Sequence, residues 1–500
     1  MKDPLAGLGL SRPCGGSGRL GSLYLALLFL GLPLCYWNGF FSITEAKAVY
    51  FMAVSSLYLA ARLLLAALPG RAAAPMLSPD AGASSFLLFA LLSLLSSLLF
   101  GLFPACLLGA DNRYQGAVCF LLYAGVFFFL SREDCLSRLS LWGALAGYWM
   151  VALLAALNHL GFDPLGTVAP LSSFDRGRYL STIGNINFLG AYAVLLLPVW
   201  AALACSAPSA AGRRFFALTA LPGVFCAMAS KSESAVLGLS AAVLLLPVFT
   251  GRRAEALRRL PLLLPGLAAA MQLFALLSRH GGGDGFSALT RRLLSPSVSL
   301  ALAGAGLVLW LLLRCRDEAQ LVRLRRLYGW LLLAAACLAL LLLLLANTLL
   351  PASSLGALAP YLIFSDSWGT DRGRIWRSCL QLFAAFPWPQ KLLGGGSGCL
   401  VRWDAGHRVF QDALVDAAHN EYLHYLLTSG LLGLGTYLAC LFLRCRDTLL
   451  RDGSPLSLAL LGGCAAYALQ AAVNIAQPVT TPLFFALLAV LAARCPRRVP

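Results

Sequence analysis

Residues 415–446 read VDAAHNEYLHYLLTSGLLGLGTYLACLFLRCR, and this stretch decides the fold. From Tyr425 to Leu443 it carries no charge, a run long enough to cross ~30 Å of hydrocarbon as one helix. Arg444 and Arg446 close one end, while Asp416, His419, Asn420 and Glu421 crowd the other. Working outward, apolar runs of the same kind recur along the whole chain, about fourteen in all. Their predicted cores are about 21–41, 46–68, 86–103, 117–131, 140–160, 188–205, 215–230, 234–250, 260–278, 297–313, 329–350, 425–443, 456–475 and 479–493. With 59% hydrophobic and 12% charged residues over 500 positions, the composition is that of a protein dissolved in lipid. The expected fold is an all-α polytopic membrane protein of 12–14 helices.

Basic residues test this parse, because Lys and Arg concentrate in cytoplasmic connections. Alternate connections hold Arg62 and Arg71, Arg132 and Arg138, Arg213 and Arg214, then GRRAEALRRL, RCRDEAQLVRLRRL, RCRDTLLRD and RCPRRVP. With Lys2, Arg12 and Arg19 they take about 24 of the 38 basic residues. The net charge of +17 is therefore mainly a topology signal against anionic lipid. No basic run is interleaved with aromatics, so nucleic acid is not an expected partner. Both termini then lie in the cytoplasm. Residues 1–20 form a short tail, 21–350 a bundle of about eleven helices, 351–424 one long extracytoplasmic loop, and 425–500 about three more helices with a tail. The first apolar run lacks a small-x-small cleavage site and reads as a retained helix. Most of the 15 cysteines fall inside spans or at their cytoplasmic ends; Cys106, Cys379 and Cys399 are expected outside, where the last two could pair.

Polar residues at membrane depth are costly and default to function. Four such clusters fall on the outer side. GADNRYQGA carries Asp111 and Arg113, and FDRGRYLSTIGNINFLGAY carries Arg176, Arg178, Asn185 and Asn187. SKSESAVLGL carries Lys231 and Glu233, and the long loop carries WGTDRGRIWRSCLQLF and DAAHNEYLHYLL. In the last of these, Val409, Phe410, Ala413, Leu414 and Ala417 predict an amphipathic surface helix, with Asp412, Asp416 and His419 or Asn420 on its polar stripe. In such a helix Asp416 sits three residues before His419 and can accept from one ring nitrogen, leaving the other as a base. His424 is expected to point elsewhere. Arg372, Arg374 and Arg377 lie beside Trp376, and a guanidinium fork suits phosphate. GGGSG at Gly394–Gly398 lacks the Lys and the strand–helix setting of a phosphate loop and reads as a flexible turn. No zinc-protease or nucleophile-elbow motif is found, and no C-x-x-C spacing suggests metal.

The succession RGRYLSTIGNINFLGAY, SKSESAVLGL, RGRIW, LLGGGSG and AHNEYLHYLLTSGLLGLGTYL, from about Gly109 to Leu443, resembles the bacterial O-antigen ligase family, with its related polymerases and O-linked oligosaccharyltransferases. The resemblance implies a cofactor-free, metal-independent glycosyltransferase of the cytoplasmic (inner) membrane, acting at its outer face on a glycan carried by undecaprenyl pyrophosphate. A lipid, glycan or protein would be the acceptor. It assigns His419 as base, and Arg178 and Arg374 to the donor pyrophosphate, with Arg113, Arg176 and Arg372 as neighbours. Asn185, Asn187, Lys231, Asn420, Glu421 and Tyr422 fall in supporting positions. Where many members have Ser-Arg-Gly, this chain has Ser232, Glu233 and Ser234, which puts that arginine's role in doubt. A polymerase of lipid-linked repeats uses the same chemistry. A transporter of lipid-linked sugars is the rival from another class, but would spread its charges along the spans.

Overall fold

The computed structural model describes residues 3–12, 15–40, 42–68, 80–110, 113–173, 175–250, 254–279, 285–410 and 414–495. Asp111, Asp412 and Ala413, with Lys2, Arg71 and the arginines at 252–253 and 497–498, lie outside the described residues.

The chain is an all-α polytopic membrane protein. Each predicted core falls on a helix. In the first half these are α1 Gly15–Leu34, α2 Ile43–Ala67, α3 Ala81–Phe100, α4 Ala117–Leu130, α5 Arg138–His159, α6 Ile186–Ser206 and α7 Ala210–Ala229. Then come α8 Glu233–Phe249, α9 Leu263–Leu277, α10 Pro296–Arg314 and α11 Glu318–Thr348. The long loop holds α12 Trp368–Ala385, α13 Trp388–Leu393 and α14 Cys399–His407 before the chain re-enters the bundle as α15 Glu421–Asp447, α16 Pro455–Gln470 and α17 Thr481–Arg494. Among the described residues, 10 helical segments are long and apolar enough to cross a membrane, and α4, α8 and α17 are shorter apolar helices. The 31-residue α11 and its neighbour α10 are apolar yet exposed nearly all round, as lipid-facing helices are, whereas α6 is buried on every side and forms the central column.

One boundary differs. The first run was expected to reach residue 41, but α1 stops at Leu34, one residue after Pro33. The buried ammonium of Lys47 then caps its end, donating to the carbonyls of Leu32 (3.0 Å), Pro33 (3.0 Å) and Cys35 (2.8 Å). A cation at a helix C-terminus satisfies carbonyls that lipid cannot.

Contacts sort the connections into two ends, as alternating passes require. At one end Arg62 pairs with Glu133 (2.9 Å), Arg494 with Asp134 (2.7 Å), and the fully buried Arg444 with the α3 cap Asp80 (2.5 Å). At the other, Thr182 donates to Pro33, Ser97 bonds Ser397, and Arg113 pairs with Asp416.

At this second end α15 is broken. Gly430 has φ 70° and ψ −172° inside the helix. The break frees the carbonyls of Leu427 and Thr428, which accept from Gly395 N (2.7 Å) and Ser96 Oγ (2.7 Å). Gly394 approaches so closely that a side chain there would collide with the Thr428 carbonyl. The glycine run is therefore a close-packing seam between the long loop and two spans, not the flexible turn expected from sequence.

Candidate active site

His419 is held from both sides. Upstream, the indole Nε1 of Trp376 on α12 donates to the Ala418 carbonyl (3.0 Å). Downstream, Asn420 caps α15, its Oδ1 accepting from Leu423 N (3.0 Å). Between these anchors His419 takes φ 49°, a left-handed conformation that costs a non-glycine residue energy and persists only where the surroundings impose it. The loop before it is shaped by the buried Asp404, whose carboxylate accepts from Val409 N (3.0 Å) and Val415 N (3.1 Å).

This corrects the amphipathic helix expected from Val409. α14 ends at His407, and the described residues 414–420 are not helical. Loop amides are satisfied by Asp404 rather than by a helical ladder, so the three-residue offset between Asp416 and His419 has no helical meaning. Asp416 instead accepts from Nη2 of Arg113 (2.7 Å), with side chains only 16% and 20% exposed.

α12 brings in the arginines. Gly369, Thr370 and Asp371 are all left-handed, and regular helix begins at Arg372. Gly373 lies against the Ser365 carbonyl with no room for a Cβ, so RGR places its two arginines on either side of a contact only glycine allows. Arg372 is half-buried; its Nη1 donates to Gly369 O (2.6 Å), while its Nε is buried without a partner. Burial lowers the Arg372 pKa, opposed by the charge of Glu233. Arg374 is exposed, its guanidinium 5.2 Å above the Phe410 ring, and Arg377 pairs with Asp366 (2.9 Å).

The pKa of His419 is pushed down to about 4. Burial is the main cause; the positive charges of Arg372 and Arg113 add to it, and Asp416 only partly offsets them. The ring is thus neutral at neutral pH, as a base must be.

Other sequence-predicted residues divide between this centre and the scaffold. Glu421 is fully buried and accepts from Tyr437 Oη (2.8 Å) and Tyr467 Oη (3.4 Å), and Tyr422 Oη donates to Ala468 O (2.6 Å). Both pin the start of α15 to its neighbours. Asn185 caps α6 by accepting from Asn187 N (2.9 Å); Asn187 accepts from Ser232 Oγ (2.8 Å), tying α6 to the start of α8 beside Glu233. The Lys231 ammonium lies 5.2 Å from the Phe286 ring centroid. Arg176 is spent on its own loop, donating to Leu171 O (3.1 Å) and Ala169 O (3.2 Å). Arg178 stands on the same exposed loop, just before the two-residue strand β1 Tyr179–Leu180, which pairs with β2 Gly184–Asn185. Cys379 and Cys399 are free thiols buried in the small core beneath α12.

Two residues were missed from sequence. Asp404 lies in WDAGH, where nothing marks it as the organiser of a loop. His424, expected to point away, lines a small cavity with Arg113, Gln115 and Asp416. The Asn420-x-x-Leu423 cap could have revealed it: once α15 starts at Glu421, His424 lies on its first turn.

Comparison with curated proteins returned no match. Residues 293–438, under a third of the 500-residue chain, match the family model described as O-antigen ligase. The match begins just before α10, runs through the long loop and ends in α15, so it contains Arg372, Arg374, Asp416, His419 and His424. Over this region the chain is similar to the O-antigen ligase family.

Proposed function

We propose that the protein transfers a glycan from undecaprenyl pyrophosphate to a hydroxyl acceptor at the outer face of the bacterial cytoplasmic membrane, with His419 as general base and without metal. Its function is O-antigen ligase or polymerase-like, and that family implies lipid-linked glycan substrates. The observation that carries the finer reading is the half-buried, neutral His419 beside two arginines.

The acceptor hydroxyl gives its proton to His419 as its oxygen bonds the anomeric carbon. The carbon–oxygen bond to pyrophosphate breaks, and pyrophosphate departs with the electron pair. Direct displacement inverts the anomeric centre. The half-buried Arg372 and the exposed Arg374 are the donor clamp, with Arg178 as a candidate third member. Arg113 is occupied by Asp416, so it positions that carboxylate rather than gripping phosphate. Pyrophosphate on the arginines offsets the charge that suppresses His419, so donor binding strengthens the base.

Ligation is the leading reading and polymerisation the alternative. Deleting the gene in its host and resolving undecaprenyl-linked glycans by length tests both. Long chains on the carrier mean a ligase, and single repeats mean a polymerase. A His419→Ala allele that behaves as wild type overturns the reading of His419, and repeats trapped on the inner leaflet make the protein a transporter.

A further inference from the structure

At the end of the bundle away from His419, a cleft of about 390 Å³ opens where α6 stops. Its wall includes Arg213 in the first turn of α7, Glu255, Arg258 and Arg259 on the short helix Ala254–Arg259, and Glu318 at the start of α11. The N-terminal segment ties this cleft to the end that carries the Arg494–Asp134 pair. Gly7 lies against Pro208 of the cleft wall, and Gly9 O accepts from Arg494 (3.1 Å). By the distribution of basic residues, that end is the cytoplasmic one.

The three arginines tie together the elements around the cleft. Arg213 Nη1 donates to Ala207 O (3.0 Å) and Pro208 O (3.0 Å), and Arg259 Nη1 donates to Cys205 O (3.3 Å), all just at or past the end of α6. Glu255 accepts from Arg258 Nη1 (2.6 Å) and Arg259 Nη2 (2.8 Å), and Arg258 Nη2 donates to Arg316 O (2.8 Å) between α10 and α11. Each guanidinium makes two of these bonds and has five N–H groups, so donors remain on all three. Arg213 has no carboxylate partner among the described residues, and Glu255 is 58% exposed, so water screens its charge. Capping accounts for the arginines but not for the space between them. A cleft of about 390 Å³ is in the range of small-molecule sites, roughly 300–1,000 Å³, and guanidinium forks match the oxygens of an anion.

We propose that this cleft binds a phosphate group. Around it α6 ends, α7 begins and the apolar, lipid-exposed α10 and α11 meet, which sets it at the depth of lipid headgroups. An anionic phospholipid is the bearer this setting favours, its phosphodiester against Arg213 and Arg259 and its tails along α10 and α11. A free phosphate from the aqueous side offers the same chemistry. Either ligand joins α6, the short helix and the α10–α11 connection at one point. The site lies at the opposite end from His419 and does not rest on the transfer reading.

The test uses the full-length protein in detergent. The probes are dioleoyl-phosphatidylglycerol, the zwitterionic dioleoyl-phosphatidylcholine and inorganic phosphate, with bound lipid read by native mass spectrometry and bound phosphate by equilibrium dialysis. The wild-type protein should retain phosphatidylglycerol in preference to phosphatidylcholine. Arg213→Gln combined with Arg259→Gln should weaken phosphatidylglycerol about tenfold and leave phosphatidylcholine unchanged, since only the charge-assisted bonds are lost. Glu255→Gln removes the carboxylate that competes for two of the guanidiniums, so it should bind phosphatidylglycerol several-fold more tightly. Opposite shifts from substitutions in one cleft separate loss of a site from loss of the fold. Inorganic phosphate that binds with these same two shifts, where phosphatidylglycerol shows no preference, upholds the site and makes the free anion its ligand. Phosphatidylglycerol and phosphate both indifferent to the arginine pair overturn the proposal, and so does a Glu255→Gln protein that binds both more weakly.

Discussion

At His419 the charge of the substrate sets the strength of the base. In the free protein its pKa is about 4, so protonation spares the base until the pH falls close to that value. With pyrophosphate against Arg372 part of that positive field is offset and the pKa rises, while burial, the larger cause, still holds it below the ordinary ~6.5. The acid limb of kcat, which reports the donor complex, should therefore lie at higher pH than that of kcat/KM, which reports the free protein. Coincident limbs in a pH–rate study would refute this coupling. His419→Ala should lower turnover about 10²- to 10⁴-fold, measured on protein that remains folded by gel filtration. Arg374→Lys should also fail, because an ammonium cannot reproduce the fork or the flat contact with Phe410; unchanged kcat/KM for the donor would remove Arg374 from the clamp. Asp416 shows what sequence could not supply at this scale. Its spacing to His419 suggested a hydrogen bond, yet its partner is Arg113, 303 residues earlier in the chain.

The spans were legible because hydropathy is local: a run of the right length and polarity becomes a helix in lipid whatever its neighbours. The long loop is not a local problem. Its path from α14 to α15 depends on one buried carboxylate, Asp404, accepting two loop amides, and on Trp376 reaching across from α12 to Ala418. No periodicity encodes either contact, which is why an amphipathic helix was expected where a tied loop exists. The glycines of GGGSG were equally ambiguous, since the same residues serve a flexible turn or a close backbone approach, and only the broken α15 at Gly430 distinguishes the two. Asp404→Ala should leave the amides of Val409 and Val415 unpaired, at about 1–3 kcal/mol each where water cannot replace the carboxylate. The expected result is selective protease cleavage between Arg408 and Val415 with the bundle intact, and a loss of turnover through the displaced His419. Wild-type resistance of that segment would show that the loop is held by something else.

Across the whole molecule, the two ends of the bundle are chemically unlike. One gathers buried ion pairs such as Arg444–Asp80 and Arg62–Glu133, and the other gathers serine hydroxyls, Arg113–Asp416 and the His419 loop. Arg444 is fully buried and joins α15 to the cap of α3, with Asp447 3.5 Å away. Its replacement by Met leaves the Asp80 carboxylate without its cation, while Asp447 keeps Arg446 at 2.8 Å, and thermal unfolding in detergent should show a lowered midpoint. The basic end is the one that the positive-inside rule keeps in the cytoplasm, so the opposite end, with α12 to α14, should face out. A reporter phosphatase active only outside the cytoplasm makes this a test of orientation. Fused after Ser365, before α12, it should be active; fused after Asp317, at the start of α11, it should be silent. The reverse pattern would put His419 on the cytoplasmic side. The donor could then no longer be the outward-facing lipid-linked glycan from which the transfer chemistry is argued.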